Sequence, residues 1–210
     1  MDAAVKLLDE HGERGFTFSL LTQHLHTGNG AIYWHVANKD ELIALAADQV
    51  LAEAVAAAVN TDEAISSAPE DHVRVLAVGV YDALDRHQWA AAHVTGTPTP
   101  PNALRIMERI GQLTYNPKRP ADEHFVIATA IYNYVIGVAA QMIGAGATIG
   151  QHTNRSDYLA QSAERWQQLD PAEYPFLSAM TTALRDHDDR AQYIAGLDLL
   201  INGLATRSAT

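Results

Sequence analysis

The sequence predicts an all-α fold, with a small N-terminal unit of three helices followed by a larger helical domain. Through most of the chain, apolar side chains recur every three or four residues, which is the spacing of an amphipathic helix. Runs of Val, Ile and Thr that alternate with polar residues, as half-buried strands require, are missing from the sequence. The composition, 48% apolar and 19% charged over 210 residues, indicates a globular chain with a sizeable core.

Three short helices are predicted in the first part of the chain. The first opens at Ala3 and ends at Gly12. The second is TFSLLTQHL, where Thr17 is placed to cap the helix N-terminus. After a break at 26–30, the segment AIYWHV predicts a third helix of barely two turns. Ile32 and Val36 lie four residues apart on it, so both can pack inward on the second helix.

A fourth helix is predicted from Asn38 to about Val59. Asn38 and Glu41 have the N-x-x-E spacing of a capping box, and an apolar helical pattern follows them. Because this helix (38–59) runs on from the first three, it links an N-terminal unit, 1–48, to the remaining domain, 49–210.

Six longer amphipathic stretches fill the rest of the chain. The breaks between them are rich in Pro, Gly and Asn, as in TGTPTPP and NPKRP. We interpret the glycine run 144–150 as a helix end and loop, because a dinucleotide-binding glycine motif would follow a strand rather than a helix. The predicted helices are 70–94, 102–115, 121–146, 156–169, 173–186 and 188–206.

Two helices joined by a tight turn, with a third bracing them, form the helix-turn-helix arrangement, whose second helix enters the DNA major groove. The segments LLDEHGERGFT and LTQHLHTGNGAIYWHVANKDEL resemble the DNA-binding domain of the tetracycline-repressor-like (TetR) family over about residues 3–50. Two later segments, YNYVIGVAAQ and YIAGLDLLINGLATR, resemble helices that pair in the family's homodimer. We therefore expect a homodimer built on helices 121–146 and 188–206, with apolar bulk from the last helix supplied by Leu197, Leu200, Ile201 and Leu204. The resemblance implies a ligand-responsive transcriptional regulator, usually a repressor, that binds a palindromic double-stranded DNA operator and a small, mostly apolar effector.

The candidate DNA-contacting residues lie in and around the third helix. Outward-facing Asn, Tyr and His suit base edges and phosphates better than plain solvent, and Lys39 at a helix start suits a phosphate. His26 stands where the family has Gly in the turn, so we expect a positive φ there. The full set is Thr17, Asn29, Gly30, Tyr33, Trp34, His35 and Lys39.

The charge balance runs against this interpretation. The chain carries −11 overall, and its first 50 residues hold three cations against seven carboxylates, a net −4. A chain of that sign does not bind DNA by bulk electrostatics. One hypothesis is that a basic N-terminal arm precedes Met1. The alternative function is a helical homodimer that binds a small molecule without binding an operator.

An effector pocket is expected between helices of the larger domain, where apolar walls carry a few polar groups. Trp89 and His93 lie four residues apart and share a helix face, and Tyr132 and Asn133 interrupt an otherwise apolar helix. The candidate ligand-binding residues are Trp89, His93, Met107, Phe125, Tyr132, Asn133 and Trp166.

Other functional classes find little support in the sequence. With no cysteine, thiolate chemistry and disulfides are excluded. The ten histidines include no pair at the i, i+3 or i, i+4 spacing that a helical metal site prefers, so we expect no metal, no cofactor and no enzymatic activity. The acidic cluster at 186–189 is expected to cap the last helix. No apolar run reaches the roughly 18 residues of a membrane span, and a cytoplasmic protein is expected.

Overall fold

The computed structural model describes the backbone of residues 1–62, 68–150 and 154–207, and within these ranges the side chains outside 29, 60–62, 147–150 and 204–207. Every regular element in these ranges is helical, which confirms the predicted all-α fold. In chain order the elements are α1 (Asp2–Gly15), α2 (Phe18–Leu25), α3 (Asn29–Tyr33), α4 (Lys39–Asp62), α5 (Pro69–Arg86), a 3₁₀ turn (Gln88–Ala92), α6 (Pro101–Thr114), α7 (Ala121–Asn133), a π turn (Tyr134–Val138), α8 (Ala139–Gly150), α9 (Arg155–Gln167), α10 (Pro175–Arg185) and α11 (Asp189–Arg207).

The N-terminal unit follows its local sequence signals closely. Thr17 Oγ1 accepts a hydrogen bond from the Leu20 amide at 3.1 Å and caps α2. His26 ends α2 in the left-handed region, with φ 53° and ψ 43°, as its place in the turn predicts. The prediction that the first helix ends at Gly12 was too short: the backbone kinks there, with φ 63°, and α1 resumes as far as Gly15. Glycine adopts that positive φ without a Cβ penalty.

The capping box at the start of α4 is confirmed. The Glu41 amide donates to Asn38 Oδ1 at 2.8 Å, and Glu41 Oε2 accepts from the Ala37 amide at 2.6 Å. The helix then continues to Asp62, slightly beyond the predicted end.

Two predicted long helices are interrupted. The stretch predicted as 70–94 breaks at His87, where α5 ends and a 3₁₀ turn begins. The stretch predicted as 121–146 contains a π turn from Tyr134 to Val138. Our interpretation of the glycine run as a helix end and loop was wrong, because α8 continues through 144–150. Packing of α8 against α5 and the 3₁₀ turn offsets the poor helix propensity of its glycines.

The core is organised around α4, which packs against α1, α5 and α6. Its inner face places Ala46, Ala47, Val50 and Leu51 at 0% exposure. On the other side of α5 lies α11, whose Tyr193 and Leu197 are also fully buried. The core is therefore continuous from the N-terminal unit into the larger domain.

Tyrosine side chains fill the centre of the larger domain. The Tyr193 hydroxyl lies 3.1 Å from the carbonyl oxygens of both Ala77 and Val135, and the Tyr134 hydroxyl donates to the Tyr193 carbonyl at 2.9 Å. Burial raises the pKa of Tyr193 and Tyr134, and it raises the pKa of Tyr81 to about 12. The Tyr134 and Tyr193 hydroxyls thus remain neutral donors that satisfy carbonyls inside the core.

Two segments, Lys39–Val59 and Ala121–Gly146, are long and apolar enough by length and composition to cross a membrane. The apolar window of each is 50% and 44% buried inside the protein, respectively. Burial to this extent is typical of core helices in a folded domain. Neither segment was identified from the sequence, because the criterion applied there was an uninterrupted apolar run of roughly 18 residues.

We expect Gly196→Ala to destabilise the protein. A Cβ at Gly196 would overlap the Tyr134 hydroxyl and approach its Cζ to 2.8 Å, so Tyr134 must move away from the Tyr193 carbonyl. Overpacking of this kind costs about 1–3 kcal/mol, which denaturant unfolding would measure. Gly146→Ala is the matched control, because a Cβ there meets nothing within 4 Å. Equal losses in the two variants would contradict the assigned contact.

Candidate DNA-binding surface and domain junction

The surface around α3 is free of formal charge. The 23 residues from 15 to 37 contain no Asp, Glu, Lys or Arg, and they include three histidines. A stretch without carboxylates can approach a phosphate backbone without repulsion. The acidic balance of the first 50 residues is therefore located elsewhere in the unit.

Exposed aromatic rings dominate this surface. Trp34 is 88% exposed and Tyr33 is 58% exposed. Ile32 and Val36 are buried, as predicted from their spacing. The Tyr33 ring packs edge-on against Phe18 with centroids 5.1 Å apart, so one edge of the ring is held while much of its surface stays open.

The other predicted DNA-contacting residues have distinct positions. Gly30 and His35 are exposed, and Thr17 uses its hydroxyl in the α2 cap. The side chain of Asn29 lies outside the described residues, although its backbone begins α3. The third helix is shorter than predicted, because Trp34 and His35 follow it in a turn and Val36 lies beyond that turn.

Lys39 has a partner that the sequence did not indicate. Its Nζ donates to the Glu13 carbonyl at 2.6 Å, near the C-terminus of α1. A cation there complements the partial negative charge of a helix end. Lys39 thus ties α4 to α1, and its predicted phosphate contact would have to use the remaining ammonium hydrogens.

Several carboxylates of the N-terminal unit are engaged with the protein itself. Glu41 caps α4. Asp48 of α4 is buried and accepts from the Asn102 amide and from Asn102 Nδ2, each at 2.7 Å. Asn102 Nδ2 also lies 3.1 Å from the Asp48 carbonyl. This pair joins the middle of α4 to the first turn of α6.

A second polar connection links α1 to the 3₁₀ turn and its flanking residues. Asp9 accepts from His87 Nδ1 at 2.9 Å and from Trp89 Nε1 at 2.8 Å, and Glu13 Oε1 lies 3.1 Å from His93 Nε2. Asp9 and Glu13 are four residues apart, so they share one face of α1. We call these five residues the α1 clamp. Sequence analysis missed it, because its partners are about 80 positions apart and no local pattern pairs them.

This connection includes two of the predicted ligand-binding residues. Trp89 Nε1 and His93 Nε2 bond carboxylates of α1, so both residues lie at the domain junction. Trp89 also lines a cleft between α1 and the end of α5, and a ligand contact by either residue stays a prediction.

The remaining candidates do not converge on one pocket. Met107 and Phe125 line a groove of about 790 Å³ between α6 and α7. Tyr132 is half-buried against the core, and burial raises its pKa. Asn133 is exposed, and Trp166 lies half-buried on α9. The structure thus brings together two of the seven predicted residues on one apolar surface.

The acidic cluster before α11 acts as a cap, as predicted. Asp188 Oδ1 accepts from the Ala191 amide at 2.9 Å, while Asp189 pairs with His187 Nε2 at 2.8 Å and with Arg155 Nη2 at 2.5 Å. Over the described part of the chain, no group of three or more His, Asp or Glu side chains could hold a metal ion.

Comparison with known proteins covers most of the chain. Residues 1–46 match the profile described as bacterial regulatory proteins, tetR family, and residues 68–208 match the tetracyclin repressor-like C-terminal domain. An HTH-type transcriptional regulator of Saccharopolyspora erythraea is 29% identical over 209 residues, which cover 98% of this chain and 82% of the relative.

Solved structures are similar over their whole length. A transcriptional regulator of Streptomyces coelicolor, described as a TetR, is 37% identical with a TM-score of 0.79, covering 98% of this chain and 95% of that one. ActR of Streptomyces coelicolor, solved in complex with actinorhodin, is 20% identical with a TM-score of 0.73, covering 100% and 96%. At that identity the likeness of ActR shows the fold alone.

We expect Trp34→Ala to weaken DNA binding by about tenfold, which corresponds to about 1.4 kcal/mol, because the ring directly follows the helix proposed to enter the major groove. Stability should be unchanged, because a ring that is 88% exposed contributes little packing. Tyr33→Phe is the companion variant, since it keeps the Phe18 contact and removes only the hydroxyl. Gel shifts against the upstream region of the chain's own gene would measure both. Unchanged affinity in both variants would show that this face does not contact DNA.

Proposed function

Since the chain belongs to the tetracycline-repressor-like family of bacterial transcriptional regulators, we propose that it binds a palindromic operator as a homodimer and is released by a small, mostly apolar effector. Members of this family are non-enzymatic DNA-binding regulators. The observation that carries the operator role is the uncharged, aromatic surface around α3 in an otherwise acidic protein. We place the protein in the cytoplasm, where its operator would be.

The DNA-contacting residues act in two ways in this proposal. Tyr33, Trp34 and His35, with Asn29, face base edges and the sugar-phosphate backbone, since they lie in or directly after α3. Thr17 and Lys39 flank α3 at the starts of α2 and α4, where backbone amides favour a phosphate. Gly30 leaves open space on the exposed side of α3, which allows close backbone approach.

Homodimerisation is supported by the last two helices. Within the protomer α10 packs on α9, yet Thr181 is its one buried residue and Phe176 is 70% exposed. On α11, Ala195 and Leu199 lie on an exposed face, and Leu199 is 76% exposed. An amphipathic helix with its apolar face in water indicates a partner surface.

The interface residues predicted from sequence need correction. Leu197 and Ile201, assigned to the dimer face of the last helix, are 0% and 2% exposed inside the protomer core. Leu200 is half-buried, and the Leu204 side chain lies outside the described residues. The buried face of α11 is used by its own protomer, so we propose α10 and the opposite face of α11 as a two-fold four-helix interface.

An effector binding along α6 would be well placed to affect α4. The C-terminal part of α6 forms the groove with Met107 and Phe125, while its first turn holds Asn102 against Asp48 of α4. A shift of α6 would therefore pull on the helix that carries the DNA-binding unit. ActR, which shares the fold, was solved in complex with actinorhodin, so we propose actinorhodin as the first probe.

We expect Leu199→Glu to dissociate the dimer, because it places a charge in an apolar interface, and to weaken operator binding since a monomer reads a single half-site. Sedimentation velocity at micromolar concentration would measure the first effect and gel shifts the second. Val126→Glu on α7, where the side chain is 59% exposed, is the control and should remain dimeric. Dissociation by Val126→Glu alone would place the interface on 121–146 instead.

We expect Phe125→Ala to weaken binding of actinorhodin by about tenfold, or about 1.4 kcal/mol, in a thermal-shift titration, because the ring forms part of the groove wall. Val126→Ala is the matched control, since Val126 is its exposed neighbour on α7. Asn102→Ala should retain probe binding but lose probe-induced release of DNA. Equal probe affinity in Phe125→Ala and wild type would exclude this groove as the effector site.

A further inference from the structure

The α1 clamp brings two carboxylates of the N-terminal unit against two imidazoles and an indole of the larger domain. Asp9 Oδ1 and Oδ2 lie 2.9 and 3.0 Å from His87 Nδ1, and Trp89 Nε1 shares the first oxygen. His93 meets Glu13 one helical turn along α1. The two domains are thus joined here by hydrogen bonds whose strength depends on whether the imidazoles are charged.

The imidazoles are shielded from solvent more than their partners. Side-chain exposure is 10% for His87 and 24% for His93, against 32% for Asp9 and 39% for Glu13. Partial burial reduces screening of an ion pair by water and salt. A hydrogen bond from a neutral imidazole to a carboxylate is already charge-assisted, and a charged imidazole adds Coulomb attraction to it.

Other charged groups surround the clamp from each neighbouring element. A cleft of about 820 Å³ beside it is lined by His11 and Arg14 of α1 and by Asp85 and Arg86 at the end of α5. From α4, Lys39 bonds the Glu13 carbonyl and Asp48 is held by Asn102. The sequence of α8 contains no titratable residue. Imidazole is the side-chain group through which pH near neutrality acts on proteins, and in this region the imidazoles are those of His11, His87 and His93.

We propose that the α1 clamp is a proton-responsive joint that fixes the orientation of the DNA-binding unit on the larger domain. Proton uptake by His87 and His93 converts the hydrogen bonds that neutral imidazoles make to the Asp9 and Glu13 carboxylates into ion pairs and tightens the joint. Loss of those protons loosens it. The joint is independent of the proposed operator role, and only its effect on DNA affinity rests on that role.

Trp89 provides a direct readout of the clamp. In a Trp34→Phe, Trp166→Phe background it is the remaining one of the three tryptophans, so its fluorescence reports on the indole bonded to Asp9. We expect its emission to titrate between pH 5 and 8. The titration should disappear in His87→Asn, His93→Gln, where the amides replace the bonding Nδ1–H and Nε2–H but cannot take up a proton.

Controls separate the clamp from general effects. His124→Gln, on α7 and bonded to the Asn116 carbonyl, should retain the full titration. Asp9→Asn, on the exposed side of the junction, should remove most of the fluorescence titration, while circular dichroism should show an unchanged fold. This variant tests the clamp even if the substitution of the buried His87 prevents folding. A titration that survives in Asp9→Asn and in His93→Gln would overturn the proposal.

Operator binding tests the consequence of the joint. The two DNA-binding units of a dimer must lie about 34 Å apart to enter successive major grooves, and a fixed orientation preorganises that spacing. From pH 6 to pH 8, the operator affinity of wild type should therefore fall by about threefold more than the operator affinity of His93→Gln. Equal pH dependence in the two proteins would overturn the role of the clamp in orientation. Failure of either protein to bind DNA at any pH would instead overturn the operator role and leave the fluorescence result valid.

Discussion

The burial of α4 is the constraint on which the rest of the structure depends. Its capped start is held by Asn38 and Glu41 and is tied to α1 by Lys39, so the DNA-binding unit is built directly on it. Its middle is fully buried at Val50 and Leu51, where it also serves the core of the larger domain. Because one helix supplies core residues to both units, neither can shift without a rearrangement of packed side chains, which close-packed interiors resist.

That shared helix also explains how an acidic protein can present a surface for DNA. The carboxylates of the first 50 residues include Asp9, Glu13, Glu41 and Asp48, and each is hydrogen-bonded within the protein. The residues from 15 to 37 carry no formal charge. Four of the seven carboxylates are thus engaged within the protein, and the surface formed by residues 15–37 carries none. Net charge describes solubility and long-range steering, while local placement decides whether a surface can bind a polyanion.

Sequence patterns correctly predicted the features that depend on residues close together in the chain. The Thr17 cap, the capping box at Asn38, the left-handed His26 and the inward Ile32 and Val36 are all set by residues within a few positions of one another. The failures have a tertiary cause. Helix 144–150 persists because neighbouring elements pack on it, and Leu197 faces its own core because α5 lies there. Periodicity identifies an apolar face, but it does not say which surface covers it.

Sequence patterns could not predict the contacts between the domains, because the partners are far apart in the chain. Asp48 and Asn102 are 54 positions apart, and Asp9 and Trp89 are 80 apart. Together these contacts attach the DNA-binding unit to the larger domain at two places. The pair at α4 and α6 and the α1 clamp each hold the DNA-binding unit on the larger domain, in addition to the core that the two units share through α4. A change of orientation therefore requires that a polar attachment open and that packed side chains rearrange. The α6 attachment lies next to an apolar groove and the α1 attachment contains histidines, so under our proposals the two would respond to different signals.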